Sequence, residues 1–154
     1  MILLSACLAG VDCRYDGGSR LEQELIDLVK QGKAILVCPE QLGGMTTPRP
    51  PCEIIGGDGE AVLKGQAKVS NCHGEDRTAC FVKGAEETVK IAKLYGAKAA
   101  ILKAKSPSCG SGHIYDGTFS QKLQDGDGVT TALLKKNGFV VLDESNFREY
   151  IEKM

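Results

Sequence analysis

The chain has 154 residues, of which 42% are hydrophobic and 25% charged, and its net charge is −1. That is enough for one domain with a proper core, and it lacks the broad basic field that marks nucleic-acid or anionic-membrane binding. No apolar run approaches a bilayer-spanning length, and the N-terminus reads as a strand with no basic leader or cleavage site, so a cytoplasmic protein is expected.

The elements follow from apolar periodicity and glycine punctuation. Met1 to Ala6 is a short apolar segment, read as the first strand. Residues 7–19 form a loop carrying Cys7, Gly10, Cys13, Arg14, Tyr15 and Asp16. Leu21, Leu25, Leu28 and Val29 recur at helical spacing and give a helix from about Arg20 to Gln31, stopped by Gly32. Ala34 to Val37 is the second strand. Cys38-Pro39-Glu40-Gln41-Leu42-Gly43-Gly44 follows, then Met45 to Pro51, whose prolines exclude a helix interior or a central strand. A connection this long in a compact domain is usually functional.

Short strands are expected around Ala61-Val62-Leu63 and Ala67-Lys68-Val69, as a hairpin-like excursion with glycines at its turns. Phe81, Ala85, Val89 and Ala92 make the buried stripe of a long helix over about Thr78 to Tyr95. Lys98 to Lys103 is the third core strand, and Ser106-Pro107-Ser108-Cys109-Gly110-Ser111-Gly112 is the loop after it. A glycine-rich stretch runs on through Gly128. Val129 to Lys136 is a helix closed by Gly138, and Phe139 to Leu142 is the fourth strand. Ser145 or Asn146 caps a final helix to Lys153.

Near-continuous apolar strands alternating with helices argue a parallel sheet covered on both faces. The expected fold is therefore α/β: a small Rossmann-like sheet of about four strands, helices on both faces and a short β excursion, as one domain over residues 1–154. Ligands in such sheets bind beyond the carboxyl ends of the strands. Cys7, Cys38 and Cys109 all fall there.

Seven cysteines is an odd number, so complete internal pairing is impossible. A disulfide framework belongs to small secreted domains without a core. Thiolates serving a metal, a cluster or a nucleophile are the better reading, with some of the seven acting as small buried hydrophobes. Cys7, Cys38 and Cys109 are candidate ligands of an iron–sulfur cluster, leaving one iron open, or of a zinc ion with an open position. Cys13 competes as a fourth ligand, a redox partner or a structural thiol.

Glu40, two residues beyond Cys38, is a candidate general acid or base. Ser106 and Ser108 are candidates to hold substrate, or simply turn formers. Arg14 and Arg49 are candidates for an anionic or carbonyl-bearing ligand. His113, four residues after Cys109, is the one histidine that keeps a Cys–His nucleophile open. Cys52, Cys72 and Cys80 read as structural or incidental. The glycine runs match neither a dinucleotide fingerprint nor a Walker loop. With no tryptophan and four each of tyrosine and phenylalanine, a stacking platform for single strands is unsupported.

Ser5-Ala6-Cys7-Leu8-Ala9-Gly10, Cys13-Arg14-Tyr15-Asp16-Gly17, Cys38-Pro39-Glu40-Gln41-Leu42-Gly43-Gly44, Pro48-Arg49-Pro50-Pro51 and Ser106-Pro107-Ser108-Cys109-Gly110 together resemble the domain of unknown function 523 family, whose studied members are thiouracil desulfidases. The resemblance runs from Ile2 to about Leu142. It implies a [4Fe-4S] cluster held by three cysteines, with an open iron for the sulfur of a thiocarbonyl substrate. The implied reaction is non-redox: 2-thiouracil becomes uracil, with release of hydrosulfide.

Carried over by motif position, the cluster ligands are Cys7, Cys38 and Cys109. Glu40 handles protons and Ser106 orients substrate or water. The implied partners are a small thiolated base or nucleoside and the iron–sulfur assembly machinery, with no membrane and no nucleic acid. Related domains fused to a second domain act on transfer RNA; a chain ending at Met154 is expected to take a free base or nucleoside. Cys52 stands where a small apolar residue is expected in the family. The rival reading is a non-enzymatic iron–sulfur or zinc-binding sensor or carrier.

Overall fold

The computed structural model describes all 154 residues. The elements run β1 (Ile2–Ser5), a 3-10 turn (Ala6–Ala9), α1 (Gln23–Lys30), β2 (Ala34–Val37), α2 (Pro39–Leu42), β3 (Cys52–Ile55), α3 (Gly59–Leu63), β4 (Lys68–Asn71), α4 (Thr78–Leu94), β5 (Ala99–Leu102), β6 (His113–Tyr115), β7 (Leu123–Asp125), α5 (Val129–Lys136), β8 (Val140–Asp143) and α6 (Phe147–Glu152). β2, β1, β5 and β8 form one four-stranded sheet in that order. Every neighbouring pair is parallel, with Ile2 opposite both Ala34 and Ala99, and Ala99 opposite Val140. The chain leaves β1 toward β2 on one side and later returns to β5 on the other, so the order reverses at β1.

Side chains alternate across the sheet. Ile2 and Leu4 pack with Leu25, Leu28 and Phe147 on the face that α1 and α6 cover. Leu3 and Leu102 pack with Val89, Ala92 and Leu134 under α4 and α5. Each such leucine or isoleucine taken from water contributes about 1.5–3 kcal/mol, which is why four-residue strands suffice. A third cluster joins Cys52, Ile54, Val62, Val69, Phe81, Ala85, Ile114 and Val129. It ties the antiparallel β3–β4 hairpin to α4 and α5.

The sheet, the long helix, α5 and the β excursion stand as the sequence indicates. Four local readings need correction. Ala61-Val62-Leu63 is helix α3, because Asp58 accepts a hydrogen bond from the Ala61 N–H at 3.0 Å and caps the turn; the strand lies earlier, at Cys52–Ile55. Helix α1 begins at Gln23, not Arg20. The Arg20 and Glu22 N–H groups instead donate to the Cys7 and Leu8 carbonyls, which leaves Leu21 56% exposed. The stretch after Ile114 forms the hairpin β6–β7, with short strands and charged tips that carry little apolar signal. Asn146 precedes α6 but caps nothing, since its side-chain oxygen accepts from the Asp143 N–H at 2.9 Å.

Candidate active site

Three thiols meet where the topology brings the carboxyl ends of β1, β2 and β5 together. Cys7 sits in the 3-10 turn that continues β1. Cys38 is the residue before α2, whose first position is Pro39, pre-set for helical φ. Cys109 lies on the Ser106–Gly112 loop beyond β5. All three line one cavity of about 640 Å³, together with Cys13, Glu40, Arg49 and Ser106.

Each thiol is held. Cys109 Sγ lies 3.9 Å from the Ser5 hydroxyl and 3.7 Å from that of Ser108. The Cys38 thiol donates to the Cys13 carbonyl at 3.8 Å. Cys13 itself is 3% exposed and reaches the thiols of both Cys38 and Cys7.

Burial raises Cys13, Cys38 and Cys109 alike. Burial pushes Cys109 up to about 12, and the Glu40 carboxylate adds to the rise. Cys38 is raised by its hydrogen bond to Cys13 and then by burial. For Cys13 the Cys38 contact pulls downward, but the Cys7 hydrogen bond, burial and the Cys7 charge outweigh it and leave the thiol at about 11. A cationic, sulfur-seeking group placed here would release the protons and relieve the crowding.

Four thiols, Cys7, Cys13, Cys38 and Cys109, are gathered at this one cavity, and a multi-iron group could take a different thiolate on each of its irons. The soft donor set fits an iron–sulfur cluster.

Glu40 is positioned from a distance in sequence. Arg49 Nε donates to its Oε1 at 3.1 Å, and the guanidinium is 3% exposed. The remaining Arg49 nitrogens donate to the Thr46 carbonyl at 3.0 Å, the Thr47 hydroxyl at 3.0 Å and the Cys13 carbonyl at 3.0 Å. The proline-rich loop thus clamps both the acid and the cysteine loop. Helix α2 comes close enough to α4 for this because Gly43 and Gly84 face each other: a Cβ on Gly43 would overlap the Cys80 carbonyl, and one on Gly84 the Pro39 carbonyl. Ser106 lines the cavity, and its Oγ accepts from the Cys109 N–H at 2.7 Å. It holds the turn while keeping a hydroxyl proton to donate.

The other candidates divide. Arg49 is committed to Glu40, and Arg14 pairs with Asp16 at 3.1 Å. His113 is the exposed first residue of β6, 3.5 Å from Asp125, and does not reach Cys109, so the Cys–His nucleophile has no geometry. Ser108 is buried against Thr130. Cys72 is exposed and Cys80 half-buried. Cys52 is buried in the third cluster, with its thiol pushed up to about 12 chiefly by burial. Lining residues that the sequence reading passed over include Glu53, Tyr115, Phe119 and Gln121 and the cations Arg20, Lys103 and Lys105. A carboxylate inside the apolar run Cys52-Glu53-Ile54-Ile55 is the signal that could have found Glu53.

The chain is similar to known proteins along nearly its whole length. The model of the 2-thiouracil desulfurase family matches residues 2–146. An uncharacterized protein of Bacillus subtilis (strain 168), YbbK, is 50% identical over 151 residues, which cover 98% of this chain and 100% of that protein. The solved structure of the [4Fe-4S]-dependent thiouracil desulfidase TudS superposes with a TM-score of 0.87 at 41% identity, over 99% of this chain and 95% of that one.

Proposed function

Since the chain belongs to the 2-thiouracil desulfurase family, we propose that its residues 1–154 act as one desulfidase domain in which Cys7, Cys38 and Cys109 hold the cluster and Glu40 and Ser106 serve the substrate. The enzyme is [4Fe-4S]-dependent and removes sulfur from a thiolated pyrimidine such as 2-thiouracil. The balance is 2-thiouracil plus water to uracil, hydrosulfide and a proton, with no net electron transfer. The observation that carries the assignment is the meeting of three strand-end thiols with the Arg49-held Glu40 carboxylate in one cavity.

When bound, the cluster supplies a thiophilic Lewis acid toward the substrate sulfur. Everything else falls to the chain. Glu40 is placed to take a proton from the water that attacks the thiocarbonyl carbon and to return it to the product. Its Arg49 clamp holds the carboxylate in one orientation, so little reorganisation is needed. Ser106 donates from its hydroxyl to substrate or water while its lone pair stays on the Cys109 N–H. Buried Val37 and Pro39 in the lining limit the water that enters beside the thiols.

No helix is long and apolar enough to cross a membrane. We take the cytoplasm as the working compartment, where thiols stay reduced, and iron–sulfur assembly machinery as the source of the cluster. The deciding experiment is anaerobic. Reconstituted protein should be brown, carry about four irons per chain as [4Fe-4S] requires, and release sulfide from 2-thiouracil. Protein that stays colourless and inactive after iron and sulfide reconstitution overturns the reading.

A further inference from the structure

Glu53 is the one buried charge in the cavity that the roles above leave unused. It sits on β3, is 8% exposed, and lines the same cavity as the thiols and Glu40. No cation answers it. Of the five cations in the lining, Arg49 pairs with Glu40, Arg14 with Asp16 and Lys103 with Glu144, while Arg20 and Lys105 form no ion pair with Glu53 or any other carboxylate. Its Oε1 accepts from the Gly117 N–H at 2.9 Å and the Phe119 N–H at 3.2 Å. Its Oε2 accepts nothing from the protein. Since no side-chain polar atom of the molecule is both sealed from solvent and unpartnered, Oε2 opens into the cavity. Water can reach this oxygen in the free protein, and a ligand that displaces the water must donate to it or leave a buried carboxylate unpaired.

The wall that Glu53 holds is equally specific. Gly117 has φ 90°, and a Cβ there would lie 2.6 Å from the Ile54 carbonyl, so the loop closes on β3 only with glycine. Phe119 (φ 56°) and Gln121 (φ 63°) follow in the left-handed region that non-glycine residues seldom adopt. Such conformations persist where the surroundings over-determine them, commonly at ligand clamps. Tyr115 and Phe119 bring two aromatic rings to this side of the cavity.

We propose that Glu53 is the substrate-recognition residue of this site, its Oε2 accepting the ring N–H next to the thiocarbonyl, with Tyr115 and Phe119 bounding the face of the base. The inference rests on the desulfidase reading above. It also defines a substrate class. N3–H flanks the sulfur whether the thiocarbonyl is at C2 or C4, and it survives substitution at N1. Thiopyrimidines with a free N3–H are accepted, and N3-alkylated ones are refused.

The test is equilibrium binding of uracil and 3-methyluracil to the reconstituted protein, with sulfide release from 2-thiouracil measured in parallel. Wild type binds uracil roughly 10- to 100-fold more tightly, the range for a hydrogen bond to a charged group. Glu53→Gln keeps a carbonyl for Gly117 and Phe119 but turns an NH₂ toward the ligand, so most of that discrimination disappears. Glu53→Asp, which withdraws the oxygen by one methylene, loses it too and serves if the glutamine variant does not fold. Equal binding of the two bases by wild type overturns the inference, as does full discrimination in a folded variant. Turnover without discrimination removes only the role of Glu53, whereas discrimination without sulfide release removes only the desulfidase reading.

Discussion

The two sides of the cavity are built differently. On the sheet side, Cys7 and Cys38 follow β1 and β2 within two residues, and Cys109 stands on the loop beyond β5. Their positions come from backbone ladders, with β1 and β5 buried along their whole length and β2 at both of its ends. On the opposite side, Arg49 ties down the proline-rich loop and Glu53 the turn of the β6–β7 hairpin, each meeting backbone far away in sequence. A parallel sheet delivers ligands to one edge by topology alone. The polar wall exists only through a few hydrogen bonds, so it can be undone one residue at a time.

Substitutions on the sheet side should therefore cost the cluster itself. Cys38→Ala and Cys109→Ala are each expected to lose iron and sulfide to background, with no turnover, while the fold persists because both face clusters remain packed. Cys13→Ser is the control that sharpens this. It should keep the cluster absorbance and iron count, and loss of either would move Cys13 into the ligand set.

Glu40→Gln separates chemistry from assembly. The amide oxygen can still accept from Arg49, so the loop and cluster stay, but no group remains to move the proton. Turnover should fall by about 10²- to 10⁴-fold, the usual contribution of a general acid–base. Single-turnover sulfide release at unchanged iron content measures it, and wild-type rates would remove Glu40 from the mechanism.

Arg49→Met tests the wall. It leaves Glu40 without its partner and the Cys13 and Thr46 carbonyls without their donor. Breaking one side of a buried pair costs roughly 3 kcal/mol, or about 10 °C in Tm for a chain of this size. Arg49→Lys restores the charge but not the fork and should recover only part of the loss. A calorimetric Tm within a degree of wild type for Arg49→Met would show that the loop is held by something else.

The same contrast explains what was legible beforehand. β2 and α5 match their expected bounds and α4 comes within one residue, because unbroken apolar runs and a helical stripe encode burial directly. The cysteine edge was legible because the topology, once read, fixes it. Glu40 and Ser106 are candidates from their places beside Cys38 and Cys109, and the family resemblance gives them roles; their neighbourhood comes only with the structure. That Arg49 reaches Glu40 and Cys13 is a fact about two loops meeting, which no local pattern carries. The helix at Ala61-Val62-Leu63 was misread because an apolar triplet is compatible with either element, and Asp58 decided it through one side-chain hydrogen bond. The hairpin that completes the wall buries one apolar residue, Ile114, and is tied at its turn by Glu53, too little for periodicity to register.

Cys52 offers the finest test, because it lies where the two sides join, next to Glu53 yet packed in the third hydrophobic cluster. It is a buried thiol outside the ligand set. Cys52→Ala should cost about 1 kcal/mol and a few degrees of Tm at neutral pH, the ordinary effect of shrinking a core side chain. Burial, and then the Glu40 charge, raise its folded value from 9.0 to about 12. Between those values the folded chain keeps a proton that the unfolded chain has lost, so stability is undiminished below pH 9.0 and falls as pH climbs toward about 12. The alanine variant lacks this loss, and its deficit relative to wild type should narrow as pH rises above 9.0. Parallel Tm curves across that range would mean that the Cys52 thiol is not shielded by the cluster it packs in, and that the junction between sheet edge and wall is open to water.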